Sequence, residues 1–130
     1  MANERDLEHC FADLGYDYEL LGPRMWLLDT RAGGGAGKVV VSYSPPLVVL
    51  RLKVAQLPGD KDDVKLFRLL LEANARELVH GAFGVEGRAL VVVDTLDADF
   101  VEEEELQAAV DGIALAAAAI IPRLKEFGLK

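Results

Sequence analysis

An α+β fold, an antiparallel sheet with helices packed on it in the order αβββαββα, is the class this sequence predicts. Three observations carry that expectation. Apolar residues recur at the 3.6-residue period over residues 64–78 and again over residues 106–127. Short β-branched runs at residues 39–43, 47–54 and 88–94 are bounded by Gly, Pro and Asp, as strands are. Those runs are joined by turn residues into hairpins, which places them in an antiparallel sheet beside the helices.

Taken in order, Asn3 can cap a first helix over residues 4–14, whose Leu7, Cys10, Phe11 and Leu14 share a face, and Gly15 provides its exit. Residues 16–30 alternate weakly and predict one strand, around Met25-Trp26-Leu27-Leu28 after the Gly22-Pro23 break. Four glycines within residues 31–37 predict a turn, and Val39 to Tyr43 is the returning arm of a hairpin. Neither Pro45 nor Pro46 can donate to a ladder, so the next strand starts at Leu47. Within it Val48, Leu50, Leu52 and Val54 fall on one face and Val49, Arg51 and Lys53 on the other.

The Leu57-Pro58-Gly59-Asp60 break precedes a helix starting at Asp62 or Asp63, with Val64, Phe67, Leu71, Asn74 and Leu78 as its stripe and Gly81 as its close. Strands over 82–85 and 88–94 follow, joined by a Glu86-Gly87 turn. Asp97 or Asp99 is expected to cap the last helix, since Asp99 and Glu102 have capping-box spacing. Its stripe is Leu106, Val110, Ile113, Ala117, Ile120, Leu124 and Phe127, and a helix over residues 100–127 would be about 42 Å long.

The 130 residues, 52% hydrophobic and 28% charged, fit one domain spanning 1–130 rather than a disordered chain. A formal net charge of -8 argues against a phosphate-tracking surface and suits a binder of basic or apolar segments. The longest uncharged apolar stretch, residues 112–122, falls short of the roughly 20 residues that cross a bilayer. With a charged N-terminus lacking a signal-peptide pattern and a single cysteine, Cys10, the expectation is a cytoplasmic protein.

Chemistry-bearing motifs fail their tests. The run Gly33-Gly34-Gly35-Ala36-Gly37-Lys38 resembles a phosphate loop, but Ala32 stands where its first glycine belongs, Val39 follows the lysine, and a strand comes next. Asp94, Asp97 and Asp99 lack the glycine and the bidentate carboxylate of a calcium loop. His9 and Cys10 are adjacent and so point about 100° apart on a helix; His80 belongs to a helix end. No catalytic set, metal site or cofactor loop is expected, and no enzymatic role. Asn74, polar on an apolar stripe, is expected to anchor a neighbouring turn.

The segments Leu69-Leu70-Leu71-Glu72-Ala73-Asn74 and Gly81-Ala82-Phe83-Gly84-Val85-Glu86-Gly87-Arg88, with the acidic turn leading from Asp97 to Leu106, resemble the small bacterial YbjN family. That family shares its fold with the type III secretion chaperones typified by the Tir chaperone. The resemblance covers most of the chain. It implies an acidic homodimer without catalytic residues that holds segments of another protein along its sheet and helices; YbjN relatives are linked to signalling and stress regulation.

The expected partner-binding surface is a mixed apolar and basic patch of Trp26, Leu28, Val49, Arg51 and Lys53. The expected dimer interface is the alanine-rich face of the last helix, at Ile113, Ala114, Ala117, Ile120 and Ile121, since five of residues 114–119 are alanine. The glycine-rich hairpin loop is expected to be dispensable. An alternative function is a ligand-responsive regulator holding a small molecule between the sheet and the last helix.

Overall fold

The computed structural model describes residues 3–30, 37–59, 63–78 and 80–129. It contains helices α1 (Glu4–Asp13), α2 (Val64–Arg76) and α3 (Glu103–Leu124), a short 3-10 turn Lys125–Phe127, and six strands: β1 (Asp17–Gly22), β2 (Met25–Asp29), β3 (Lys38–Ser44), β4 (Leu47–Gln56), β5 (Ala82–Glu86) and β6 (Ala89–Asp97). The strands form one antiparallel sheet in the order β1-β2-β3-β4-β6-β5. All three helices lie on one face of it, so the molecule has two layers with a single core between them.

The first helix begins as expected, with Asn3 Oδ1 accepting from the Asp6 N–H at 2.9 Å, and ends where the Tyr16 N–H bonds back to the Phe11 carbonyl. Residues 16–30 hold two strands where one was expected, making the order αββββαββα. Pro23 and Arg24 turn the chain tightly between Gly22 and Met25, and a register shift lies between Leu20 and Gly22. Every residue of β1 from Asp17 to Leu21 is exposed, so no alternation marks it in the sequence.

The glycine-rich residues 31–36 lie outside the described residues; Thr30 N–H and hydroxyl both bond the Gly37 carbonyl where the β2–β3 hairpin closes. Pro45 and Pro46, joined by a cis peptide, make the turn into β4. A bulge between Lys53 and Ala55 moves Ala55 into the core in place of Val54. The β5–β6 turn is Gly87-Arg88, one residue later than expected, and β6 runs on to Asp97.

Asp63 caps α2, its carboxylate accepting from the Leu66 N–H at 3.1 Å. The buried face of α2 is Leu66, Leu70 and Ala73, while Val64 and Leu71 are exposed, Leu71 by 67%. The expected stripe of Val64, Phe67 and Leu71 was thus misplaced by one residue. Apolar residues occupy both faces, and helical spacing fits either set.

α3 starts at Glu103, with no side-chain cap; Asp97 and Asp99 belong to the preceding turn, where Asp97 Oδ1 accepts from the Asp99 N–H at 3.0 Å. Its 22 residues span about 33 Å, and Pro122 sits in its last turn. The helix together with its following turn is long and apolar enough to cross a bilayer by length and composition. The sheet explains that apolarity, because Leu106, Val110, Ile113, Ala117, Ile120 and Leu124 are buried against β4 and β6.

Candidate functional site

With every helix on one face, no described element lies over the other face of the sheet. The register identifies the residues it carries. Leu27, Val40, Arg51, Val93 and Ala82 lie in one row across β2, β3, β4, β6 and β5. Met25, Ser42, Val49 and Thr95 form the adjacent row. Lys53, Val91 and Gly84 form the row on the other side, towards the end that bears Lys38 and Asp29. The centre of this face is therefore apolar, and cationic side chains stand among it on a chain whose formal net charge is -8.

One ion pair shapes the surface. Arg51 Nε lies 2.7 Å from Glu86 Oε1, and the register puts Val91 between these two residues on the intervening strand. Gly84 beside it has no side chain, so the pair spans the gap, and Val91 is only 4% exposed although no helix covers it. Both charged groups are about half exposed, where such a pair contributes little to stability. Its effect is to cover apolar surface with long side chains that can move aside.

Of the residues expected on one partner-binding patch, the structure places three on this face and two on the opposite one. Val49 is half-buried and Arg51 and Lys53 exposed on the helix-free face. Trp26 and Leu28 are on the opposite face and fully buried, since Trp26 pairs with Val41 and Val41 with Leu50, a core residue. Adjacent strand residues point to opposite sides, so the β2 contribution comes from Met25 and Leu27. Trp26 is held in the core by an edge contact with Phe11, ring centroids 5.6 Å apart, and by its indole N–H bonded to Glu8 at 2.8 Å.

The expected dimer residues need correction too. Ile113, Ala114, Ala117 and Ile120 are buried within the chain, and Ile121 is half-buried. The alanines bring α3 close to its own sheet, which uses the small face that a second helix was expected to use. Among the described residues, Leu106, Val110, Ile113 and Ala117 of α3 pack against β4 and β6. A groove of about 450 Å³ lies on the flank of α3, against Leu78, His80 and Phe83.

Three further features surround these surfaces. The outer edge of β1 is unpaired in the sheet order, and Tyr18, Leu20 and Leu21 are exposed on it, Leu20 by 61%. Asn74 accepts from the Phe83 N–H at 2.7 Å and donates to the Phe83 carbonyl at 3.2 Å, so it pins α2 to β5 as the sequence suggested. Burial, and then Glu103, push the Cys10 thiol above its ordinary pKa of 9.0, the direction of an unreactive thiol. Among the described residues no three His, Cys, Asp or Glu side chains are grouped to hold a metal.

Comparison with known proteins fits this architecture. The model of the CesT_Tir_1 family matches residues 22–130. A chain of the heterodimeric ExoU–SpcU complex from the type III secretion system of Pseudomonas aeruginosa is similar in structure, with a TM-score of 0.70 and 13% identity over 89% of this chain and 95% of that one. YbjN from E. coli is similar at a TM-score of 0.68 and 15% identity, over 99% of this chain and 96% of its own. At these identities the likeness is one of fold. No curated protein matches the chain significantly in sequence.

Proposed function

Because this chain belongs to the CesT_Tir_1 family of type III secretion chaperones, we propose that it is a non-catalytic, cytoplasmic homodimer that holds an extended segment of another protein. The observation that supports this reading is the helix-free sheet face, with Met25, Leu27, Val40, Val49 and Val93 exposed or half-buried beside Arg51, Lys53 and Lys38. Apolar rows accept alternate side chains of an extended segment, and the cations favour one that carries carboxylates. Displacing the Arg51–Glu86 pair would uncover Val91 and give such a segment more apolar area.

The test is the double variant Val49→Asp with Arg51→Glu. Neither side chain belongs to the core between sheet and helices, so the circular dichroism spectrum and melting temperature should stay close to wild type. In parallel pull-downs from a native lysate, read by mass spectrometry, the variant should lose the partner that wild type retains. Equal recovery of that partner by a folded variant would refute the assignment of this face.

A further inference from the structure

On the helix-free side β6 presents Ala89, Val91, Val93 and Thr95, and of these Val91 alone is buried, at 4% exposure. Its neighbours across the ladders are Lys53 on β4 and Gly84 on β5. A Cβ built on Gly84 would meet nothing within 4 Å, so space stands open beside Val91 at the edge of the sheet. The Arg51–Glu86 pair closes this notch, because the register carries it diagonally across β6 at Val91. We propose that the pair is a latch in which Glu86 holds the place of a carboxylate supplied by the bound segment. The inference rests on the segment-holding reading above and names the chemistry of the segment: extended, with an acidic and an apolar residue two positions apart.

Geometry and charge both select that segment. Residues i and i+2 of an extended chain share a face and lie about 6.8 Å apart, so a carboxylate can take Arg51 while the apolar side chain enters the notch over Gly84. Arg51 and Lys53 are successive outward residues of β4, and Glu86 is the carboxylate set against them. The other carboxylates of this face stand away from the notch, Asp17, Glu19 and Asp29 on β1 and β2 and Asp97 three rows along β6. An acidic segment therefore exchanges one opposite charge on Arg51 for another. A basic segment would pair with Glu86 but then meet the released Arg51 and Lys53, a like-charge contact that disfavours it. The exchange costs little, since both groups of the pair are about half exposed.

Thiol labelling of a Val91→Cys variant reads the latch without any partner, against the background of the buried Cys10 and with circular dichroism as the check on folding. Adding Glu86→Gln should quicken that labelling about threefold. Fluorescein-labelled synthetic peptides, followed by anisotropy, test the segment on chains that keep Val91. Repeats of Val-Ser-Glu-Ser put Val and Glu on one face, repeats of Val-Ser-Lys-Ser reverse the charge, and repeats of Val-Glu-Ser-Ser put Val and Glu on opposite faces. The first should bind about tenfold tighter than the other two and should slow labelling of the Val91→Cys variant. Glu86→Gln should tighten it about threefold, whereas Glu104→Gln, which removes an equal charge from exposed α3, should leave it unchanged. Equal labelling with and without Glu86→Gln, or equal binding of the lysine peptide, would overturn the latch. With the lysate partner still lost from the double variant above, that result overturns the latch alone and leaves the segment-holding reading standing. Binding of none of the peptides, even to Glu86→Gln, would overturn the proposed segment chemistry.

Discussion

Gly81 and Gly87 both adopt positive φ, at 76° and 59°, but only one of them is crowded. A Cβ on Gly81 would lie 2.6 Å from the Val93 carbonyl oxygen and 2.9 Å from Ile113 Cγ2, whereas nothing lies within 4 Å of one on Gly87. Left-handed backbone alone costs an L-residue about 1–2 kcal/mol. Crowding against backbone and a buried isoleucine adds about 1–3 kcal/mol more. Gly87→Ala should therefore lower stability in urea titration by about 1 kcal/mol and Gly81→Ala by about 3 kcal/mol or more. Similar losses for the two variants would show that Gly81 is not pressed between β6 and α3. Asn74 acts nearby, its two bonds to Phe83 worth about 1 kcal/mol each. Asn74 was legible in the sequence because an amide on an apolar stripe must find partners; its partner strand was not, since nothing local to residue 74 identifies residue 83.

Between elements, the Tyr16 hydroxyl donates to Asp111 at 3.0 Å and ties the α1–β1 connection to the middle of α3. Burial, and then the bond to the Asp111 carboxylate, raise the Tyr16 pKa above its ordinary 10.0. The folded chain thus holds this proton more tightly than the unfolded one. The associated stability is complete below pH 10.0 and is lost as the pH climbs from there towards the folded value. Denaturation midpoints should fall above pH 10.0 more steeply for wild type than for Tyr16→Phe, which has no such proton. Parallel decline in the two proteins would remove Tyr16 as the cause. Elements with one apolar face, α1 and β4, were read with nearly their observed bounds. β1 was missed because it is exposed throughout, and α2 was rotated because both of its faces are apolar.

For the whole molecule, a shared core from Leu7 to Leu129 joins all three helices to the sheet. The one tryptophan, Trp26, is buried under α1 in the N-terminal part, while α3 from the C-terminal part packs on the central strands β4 and β6. Tryptophan fluorescence and far-ultraviolet circular dichroism should therefore report the same midpoint in urea, as one cooperative unit requires. Separated transitions would divide the chain into parts that the single core does not. Long-range pairing also sets the design of the sheet: β4 and β6 are neighbours in space although α2 and β5 lie between them in the chain. That crossing places Arg51 of β4 within reach of Glu86 at the far edge.

The sequence by itself determined the α+β class, the turn at Pro45-Pro46, the Asn3 cap, the start of α2 at Asp62 or Asp63, and the alternation along β4. Each depends on residues within a few positions of one another, where propensity and period act. Only the tertiary structure decided the rest. A strand's alternation says which residues share a face, but the face that meets the helices depends on pairing between strands far apart, so Trp26 and Leu28 went to the core and Met25 and Leu27 to the open face. The alanine-rich side of α3 likewise could meet a second helix or its own sheet, and close packing on β4 and β6 settled it, leaving Leu115 and the opposite flank to the solvent.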